Sequence, residues 1–236
     1  MRRLVIALVV LIGLLAVADR VGVAVADRVL ATQIQDQLGL TERPDVSIHG
    51  IPFLTQAVRG HYSDVRVRIP DVDSGKLENI AVDARLQGAH IALGDALRRQ
   101  VDQVPVDRIT GDLTVGYADL ARASGISGLR ITRQGDALTL SGSVQVLGRQ
   151  LDASATGRVS VANNDIVIDA DRAEVNGTPV PQVALDAAAR LLSFRVTPRG
   201  LPLSLRVTGV TIGDTGLQVS AVSDDAVLKP DDVSVN

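Results

Sequence analysis

The side chains that could act as metal ligands or nucleophiles are few and widely spaced in this sequence. Its histidines are His49, His61 and His90, and none has the close His or Glu spacing that a helix-borne metal site requires. The chain has no cysteine, which excludes thiolate metal sites, disulfides and a cysteine nucleophile. We therefore predict no metal site and no cofactor.

The remaining candidates for catalysis are a serine in a Gly-rich segment and several carboxylates. Gly125–Gly128 contains a serine, but its spacing is wrong for the Gly-x-Ser-x-Gly turn that exposes a hydrolase nucleophile. Asp64, Asp83, Asp152 and Asp169 fall at polar positions of predicted strands, where solvation is the usual reason for a carboxylate. A paired acid and base among them stays open, but the sequence predicts no catalytic residue and hence a protein that is not an enzyme.

Charge is close to balanced along the whole chain but not locally. With 24 basic and 27 acidic side chains the formal net charge is −3, so no positive field attracts nucleic acid. Arginines nevertheless occur without any acid between Ala187 and Gly213, and a second arginine cluster begins at Arg59. These arginines are either solvated on polar strand faces or bind an anionic lipid surface, because guanidinium groups grip phosphate in a fork. The candidates for the headgroup or membrane surface are Arg195, Arg199, Arg59, Arg66 and Arg68.

The N-terminus has the layout of an export signal. Two arginines precede an uncharged run of 15 residues, Leu4–Ala18, which Asp19 ends. At 1.5 Å per residue the run covers about 22 Å, less than the roughly 30 Å of a bilayer core. Small-residue cleavage sequences occur at Ala16–Ala18 and Ala24–Ala26, so a cleaved signal peptide and a retained anchor both stay open. In either case the rest of the chain is exported.

Beyond this segment the pattern of apolar residues predicts mixed helix and strand. Helical spacing over Asp27–Leu38 is followed by half-buried strands in which apolar and polar residues alternate. Short helices are predicted over Phe53–Val58, before Gly60, and over Tyr117–Ser124, before Gly125.

From Leu129 onward short turns join further alternating segments, as is typical of an antiparallel meander. Among these turns are Gln134-Gly135-Asp136 and Asn163-Asn164-Asp165, and a helix over Val180–Leu191 interrupts the strands. The predicted fold class is α+β, with a long twisted antiparallel sheet wrapped around helices after an N-terminal signal or anchor helix.

The chain of 236 residues has no long linker and no repeat, which favours one domain of ordinary size. We assign residues 1–26 to the signal peptide or membrane anchor, 27–230 to a single domain, and 231–236 to a loose polar tail. Aromatic residues are only 2% of the chain although 46% is hydrophobic, so the interior is aliphatic. We expect a gap lined by aliphatic side chains between helices and sheet.

Several segments of the chain resemble one known family. The most specific runs from Arg43 to Gln56, through His49-Gly50-Ile51-Pro52-Phe53-Leu54, and it is followed by Arg59-Gly60. Supporting segments are Val104–Arg108, Tyr117–Leu120 and Leu201–Leu203 leading to Thr208–Val210. Together they resemble the LmeA family of phospholipid-binding envelope proteins.

The resemblance implies both a fold and a function. The fold would be similar to one half of the bactericidal permeability-increasing protein (a TULIP fold), in which a twisted sheet wraps a helix around an apolar lipid slot. The function would be binding of phospholipid, including phosphoinositide, in the cell envelope or periplasmic space, with a link to assembly of mannose-containing lipoglycans such as lipomannan. The partners would be a phospholipid ligand and an anionic membrane surface; the sequence identifies no protein partner.

We formulate two hypotheses of different classes. The first is a lipid carrier or presenter without catalytic activity, which needs no special polar site because each buried methylene contributes about 0.8 kcal/mol. The second is an enzyme or accessory subunit that acts on envelope lipids or glycans. For the first, the candidate lipid-binding residues are Phe53, Leu54, Val58, Leu185, Leu191, Leu203 and Leu205.

Overall fold

The computed structural model describes residues 2–74, 77–98, 101, 103–146, 149–175, 178–179, 193–196 and 205–229. Its helices are α1 Arg2–Leu38, α2 Phe53–Arg59, α3 Leu93–Arg98 and α4 Tyr117–Ala123. Its strands are β1 Asp45–His49, β2 His61–Ser74, β3 Leu77–His90, β4 Val104–Gly116, β5 Arg130–Gln134, β6 Ala137–Val146, β7 Arg149–Ala162, β8 Asp165–Val175, β9 Thr178–Pro179, β10 Phe194–Val196, β11 Arg206–Ile212 and β12 Gly216–Leu228.

The N-terminal helix α1 is longer than either segment predicted for it. The apolar run and the helix expected over Asp27–Leu38 form one continuous helix of 37 residues. Gly39, with a positive φ of 62°, ends it, since glycine adopts the left-handed conformation without steric strain. The side chains from Leu4 to Val17 are exposed, whereas Asp19 and Ala31 are buried. One face of the second half of α1 therefore packs against the first unit, while Val21, Val25 and Val29 of the same half stay exposed.

The strands form two sheets in which every pair of described register is antiparallel. The first has the order β1-β2-β3-β4-β12-β11, and the second has the order β10-β8-β7-β6-β5 with β9 beside β8. Short turns at Gly135 and at Asn163-Asn164, all with positive φ, join neighbouring strands as the sequence predicted. The α+β class with long antiparallel strands after an N-terminal helix is confirmed, and the strands are shared between two sheets.

The chain divides into two compact units. The described residues of the first lie in 2–69, 83–110 and 223–229, and those of the second lie in 70–82 and 111–222. In the first unit α1 packs on β1 and α2. The buried apolar side chains of this unit are Ala31, Val46, Phe53, Ala57, Tyr62, Val65, Ile69, Ala89, Val106, Ile109 and Ala226.

The second unit has a dense aliphatic core. Its centre consists of leucine and isoleucine side chains with no exposed surface: Leu120 of α4, Leu138 and Leu140 of β6, Ile168 of β8 and Leu217 of β12. Aliphatic side chains thus fill the described interior of this unit, and a cavity lies at the surface beside α4. The helix predicted over Val180–Leu191 lies outside the described residues.

The core of the second unit provides a first test of the structure. Leu140→Ala removes a side chain that lies close to Gly157 on the neighbouring strand; a Cβ on Gly157 would be 3.2 Å from Leu140 Cδ1. We expect a loss of about 2–5 kcal/mol in the free energy of unfolding, from lost burial and the cavity left behind. Urea unfolding measures it, with exposed Thr132→Ala on β5 as the control. A loss below about 0.5 kcal/mol for Leu140→Ala would contradict the described core.

Candidate functional site

Two carboxylates of α1 hold the chain that follows the helix. Asp19 Oδ1 accepts a hydrogen bond from the Leu54 backbone N–H at 2.8 Å, and Asp27 Oδ1 accepts one from the Ile48 N–H at 2.9 Å. Leu54 lies in the first turn of α2, where N–H groups lack partners within the helix, and Pro52 at its N-cap provides no side-chain acceptor. Asp19 therefore caps α2 from another helix. Its buried charge also pairs with Arg20 at 2.9 Å.

The predicted lipid-binding residues of α2 lie at this junction with α1. Phe53 is buried, its ring centroid 6.3 Å from that of Tyr62, and Leu54 is half-buried. Both face Gly22 of α1, where an added Cβ would lie 3.3 Å from Phe53 Cε1 and 3.7 Å from Leu54 Cδ2. Val58 is 76% exposed on the outer surface of α2. The structure thus brings Phe53 and Leu54 together at this junction. Val58 does not join them, because its side chain faces solvent.

Two of the predicted headgroup arginines are ion-paired within the first sheet. Arg66 Nη2 lies 2.5 Å from Asp83 Oδ2, and Arg68 lies 3.3 Å from both Asp45 and Asp83. The β1–β2 register places Asp45 directly opposite Arg68, so the pairs are cross-strand neighbours on one face. The Arg66 guanidinium, hydrogen-bonded to Asp83, holds the pKa of that carboxyl below its usual range.

A second ion pair continues this row of charges. Arg85 of β3 donates to both carboxylate oxygens of Asp64, at 2.7 and 2.9 Å. This bidentate hydrogen bond lowers the pKa of Asp64, and His49 Nδ1 lies 3.7 Å from the same carboxylate. Alternating charges along β2 and β3 therefore neutralise each other across the strands, which a strand-by-strand interpretation of the sequence does not reveal.

The other predicted site residues are only partly described. Arg195 lies 3.3 Å from Asp165, because β10 pairs with β8 and places Arg195 opposite Val167; the acid-free sequence around Arg195 therefore does not leave it without a carboxylate. Leu205 is half-buried, and its carbonyl accepts a hydrogen bond from Asn164 Nδ2 at 3.1 Å. Outside the described residues are Leu185, Leu191, Leu203 and Arg199.

An apolar groove lies in the second unit where α4 packs against β5. Its volume is about 660 Å³, within the usual range of small-molecule sites. Arg122 and Arg130 lie at this groove; Arg122 pairs with Asp119, and Arg130 is exposed with no ion pair among the described residues. The residues that line it are Ala118, Ala121, Arg122, Gly125, Ile126, Ser127, Gly128, Leu129, Arg130, Ile131 and Thr132.

Sequence reasoning identified α4 but did not assign it to a site. The signal that could have found the groove is the pair of small residues Ala118 and Ala121 on the predicted helix, next to the Gly-rich segment Gly125–Gly128. Small side chains leave space that larger ones would fill. The space becomes a groove only because β5 lies alongside α4, and this packing is set by tertiary contacts.

A second cavity, of about 590 Å³, lies in the first unit near the end of α2. Arg59 and Asp95 contribute opposite charges to it, and His90 lines it while its Nε2 lies 3.0 Å from His61 Nδ1. Arg59 is exposed and has no ion pair within the described part of the chain. The residues that line the cavity are Arg59, Gly60, His90, Ile91, Ala92, Asp95, Val101, Gln103 and Pro105.

The described residues contain no group of three histidines or carboxylates arranged to hold a metal ion. Within the same residues, every buried side-chain nitrogen or oxygen has a hydrogen-bond partner. The arrangement thus offers apolar surface with arginines at its edge, which suits binding of an amphiphile.

The fold and these cavities define an α+β protein with antiparallel sheets, an apolar N-terminal helix and a surface groove. The chain belongs to the LmeA-like phospholipid-binding family, whose sequence model matches residues 17–222. This is a family of phospholipid-binding domains and not an enzyme family. No curated protein and no solved structure matches the chain. The match begins before Asp19, so the second half of α1, which carries the Asp19 cap, is part of the family domain.

The Asp19 cap can be tested by removing its acceptor. Asp19→Ala leaves the Leu54 N–H and the buried end of α2 without a partner, which costs about 1–3 kcal/mol. We expect the free energy of unfolding to fall by that amount in thermal or urea unfolding. Asp36→Ala, which removes an exposed acid from the same helix, is the matched control and should have little effect. Equal stability of both variants would contradict the cap.

The charged face of the first sheet predicts a pH dependence. Because the pKa of Asp83 is lowered in the folded state, its contribution is fully present above the unfolded pKa of about 3.9 and is lost as the pH falls through the folded value. Asp83→Asn should thus lower stability by about 1 kcal/mol at pH 7, and the difference from the wild type should shrink as the pH falls below about 3.9. Unfolding midpoints across this range, with exposed Asp136→Asn as control, measure the difference. A pH-independent difference would contradict the ion pairs.

Proposed function

We propose that this protein binds a phospholipid of the cell envelope in the groove between α4 and β5, with acyl carbons against Ile126, Leu129 and Ile131. The single observation that carries the proposal is the family match over residues 17–222, and the apolar groove supplies a site for it. Each methylene removed from water contributes about 0.8 kcal/mol, so part of one acyl chain is enough for useful affinity.

Arg130 is the proposed headgroup ligand at this groove. It is exposed and free of ion pairs among the described residues, whereas Arg122 is already engaged with Asp119. Of the arginines predicted from the sequence, Arg59 shares this property. Arg66, Arg68 and Arg195 face carboxylates, so a lipid phosphate would have to compete with an acid for them. We therefore rank Arg130 and Arg59 first.

A second location for acyl chains is the α1–α2 junction. Phe53 and Leu54 lie there, but the burial of Phe53 favours a packing role for this ring. We keep Leu205, Leu185, Leu191 and Leu203 as candidates for contact with acyl chains. All four are apolar and belong to a strand or a helix that the sequence predicts beside the lipid slot.

We also propose that α1 places the protein at a membrane after export. An 18-residue window of this helix has a mean hydropathy of 2.6, and its first half is exposed. In this proposal the helix is retained and acts as an anchor. The alternative is cleavage, which would fall at Ala16–Ala18, because a cut at Ala24–Ala26 would remove Asp19 and Gly22, which pack against α2.

The kind of lipid that is bound and the process that binding supports are inferred from the family resemblance. We propose that the bound lipid is anionic, with phosphoinositide as the first choice, and that binding supports assembly of lipoglycans such as lipomannan. An enzyme or accessory subunit is the second candidate, but no observation in the described residues favours it.

Photo-crosslinking tests the location of the lipid. The full chain in membranes that contain a phospholipid with a diazirine on its acyl chain should give crosslinked peptides from residues 117–132, identified by mass spectrometry. Ile126→Asp should reduce this crosslink about tenfold, because the loss of one large apolar contact removes roughly 1.5 kcal/mol. Val210→Asp, at a half-buried position of β11 in the same unit, is the matched control for general destabilisation.

The results discriminate between sites. Crosslinks confined to α2 peptides would move the acyl site to Phe53 and Leu54. Crosslinking no stronger than that of an unrelated anchored protein would contradict phospholipid binding by this chain.

A further inference from the structure

Exposed apolar side chains are concentrated in one part of the first unit. In the described part of the chain, the large apolar side chains exposed to solvent lie on α1 or at three other positions. Those three are Ile51 just before α2, Val58 within it and Leu93 at the start of α3, with 81%, 76% and 38% of their surface exposed. Scattered exposed leucines and valines are ordinary, but their concentration around two short helices marks an interaction surface.

Hydrogen bonds connect these positions to one another and to α1. The Leu54 N–H bond to Asp19 fixes the start of α2, and with it Ile51, next to the residue that ends the apolar run of α1. At the other end of α2, the Gly60 carbonyl accepts a hydrogen bond from the Ile91 N–H at 2.9 Å. Ile91 is two residues before Leu93, so the start of α3 is held close to Val58.

The outward face of α2 has the composition of a helix that lies at a lipid interface. Phe53 and Ala57 are buried on its inner side, and Thr55, Val58 and Arg59 are exposed. An apolar side chain beside an exposed arginine suits the boundary between acyl chains and headgroups. Arg59 also lines the cavity of about 590 Å³, which Ala92 and His90 share.

We propose that Ile51, Val58 and Leu93 form a membrane-docking surface, and that the neighbouring cavity receives the headgroup of an anionic phospholipid of that bilayer beside Arg59. The proposal rests on the anchoring of α1 under the proposed function and names a second lipid contact, separate from the groove in the second unit. The occupant is the bilayer into which α1 inserts, since Asp19 fixes the surface at the end of the apolar run.

Asp95 is the acidic side chain among the described residues that line this cavity. Its carboxylate would repel a phosphate placed against it, so the phosphate belongs on the side of Arg59 and His90. Hydroxyl groups of the headgroup can then donate to Asp95. This arrangement favours a phospholipid with a hydroxylated headgroup over one that carries only a phosphate.

The absence of tryptophan from the sequence permits a direct measurement. The full chain is placed in vesicles of phosphatidylglycerol and phosphatidylcholine with single substitutions Ile51→Trp, Val58→Trp and Leu93→Trp. We expect blue-shifted emission and quenching by lipids brominated on the acyl chain at all three positions. Thr41→Trp, at an exposed site of the same unit beyond the C-terminal end of α1, should stay unshifted and unquenched.

The role of Arg59 is tested in the Val58→Trp background. Arg59→Glu should lower the ratio of docked to undocked protein about thirtyfold, because each unit of basic charge at an anionic surface changes binding roughly fivefold. The effect should vanish in vesicles of phosphatidylcholine alone and shrink at high salt. Arg43→Glu, an identical charge change at an exposed site beyond the far end of α1, should not reduce the quenching.

Two outcomes would overturn the proposal. Emission at Ile51, Val58 and Leu93 like that of Thr41→Trp would show that this surface faces water. Equal loss of quenching in Arg59→Glu and Arg43→Glu would show that no headgroup site exists beside Arg59. In either case, persistent photo-crosslinking of residues 117–132 would leave phospholipid binding by the groove intact, so failure of the docking surface and failure of the proposed function are distinguishable.

Discussion

The hydrogen bond from the Leu54 N–H to the Asp19 carboxylate is the constraint on which the first unit depends. A buried carboxylate is tolerated only when hydrogen bonds or opposite charges compensate it, and Asp19 has both, from α2 and from Arg20. The bond makes the second half of α1 part of the folded protein. It also fixes where the apolar run ends relative to α2, and hence which side chains meet a bilayer if α1 inserts.

The scarcity of aromatic residues shapes the second unit. Leucine and isoleucine from β6, β8, β12 and α4 interdigitate without exposed surface, and Gly157 lies against Leu140 with no room for a methyl group at ideal distance. Because this core is closely filled, the described cavity that could hold a ligand lies at its edge. There α4 presents Ala118 and Ala121, and their small side chains leave the groove beside β5.

Charge pairing explains why few of the many arginines are candidates for lipid phosphate. Arg66, Arg68 and Arg85 are matched with aspartates on adjacent strands, which favours the native register and neutralises that face of the sheet. Arg59 and Arg130 lie beside cavities and have no such partner among the described residues. Arginine thus stabilises the sheet at some positions and is available to bind a ligand at others.

The sequence by itself determined the α+β class, the antiparallel turns at Gly135 and Asn163-Asn164, the short helices α2 and α4, and the phospholipid-binding family. These follow from local periodicity, from turn residues with positive φ and from contiguous motifs. Only the tertiary structure decided that Asp19 caps α2, that Arg195 faces Asp165 and that α4 borders a groove. The first two contacts join residues about 30 apart in sequence, and the groove depends on how a helix packs on a strand. Neither the periodicity of apolar residues nor the local charge of the sequence predicts such contacts.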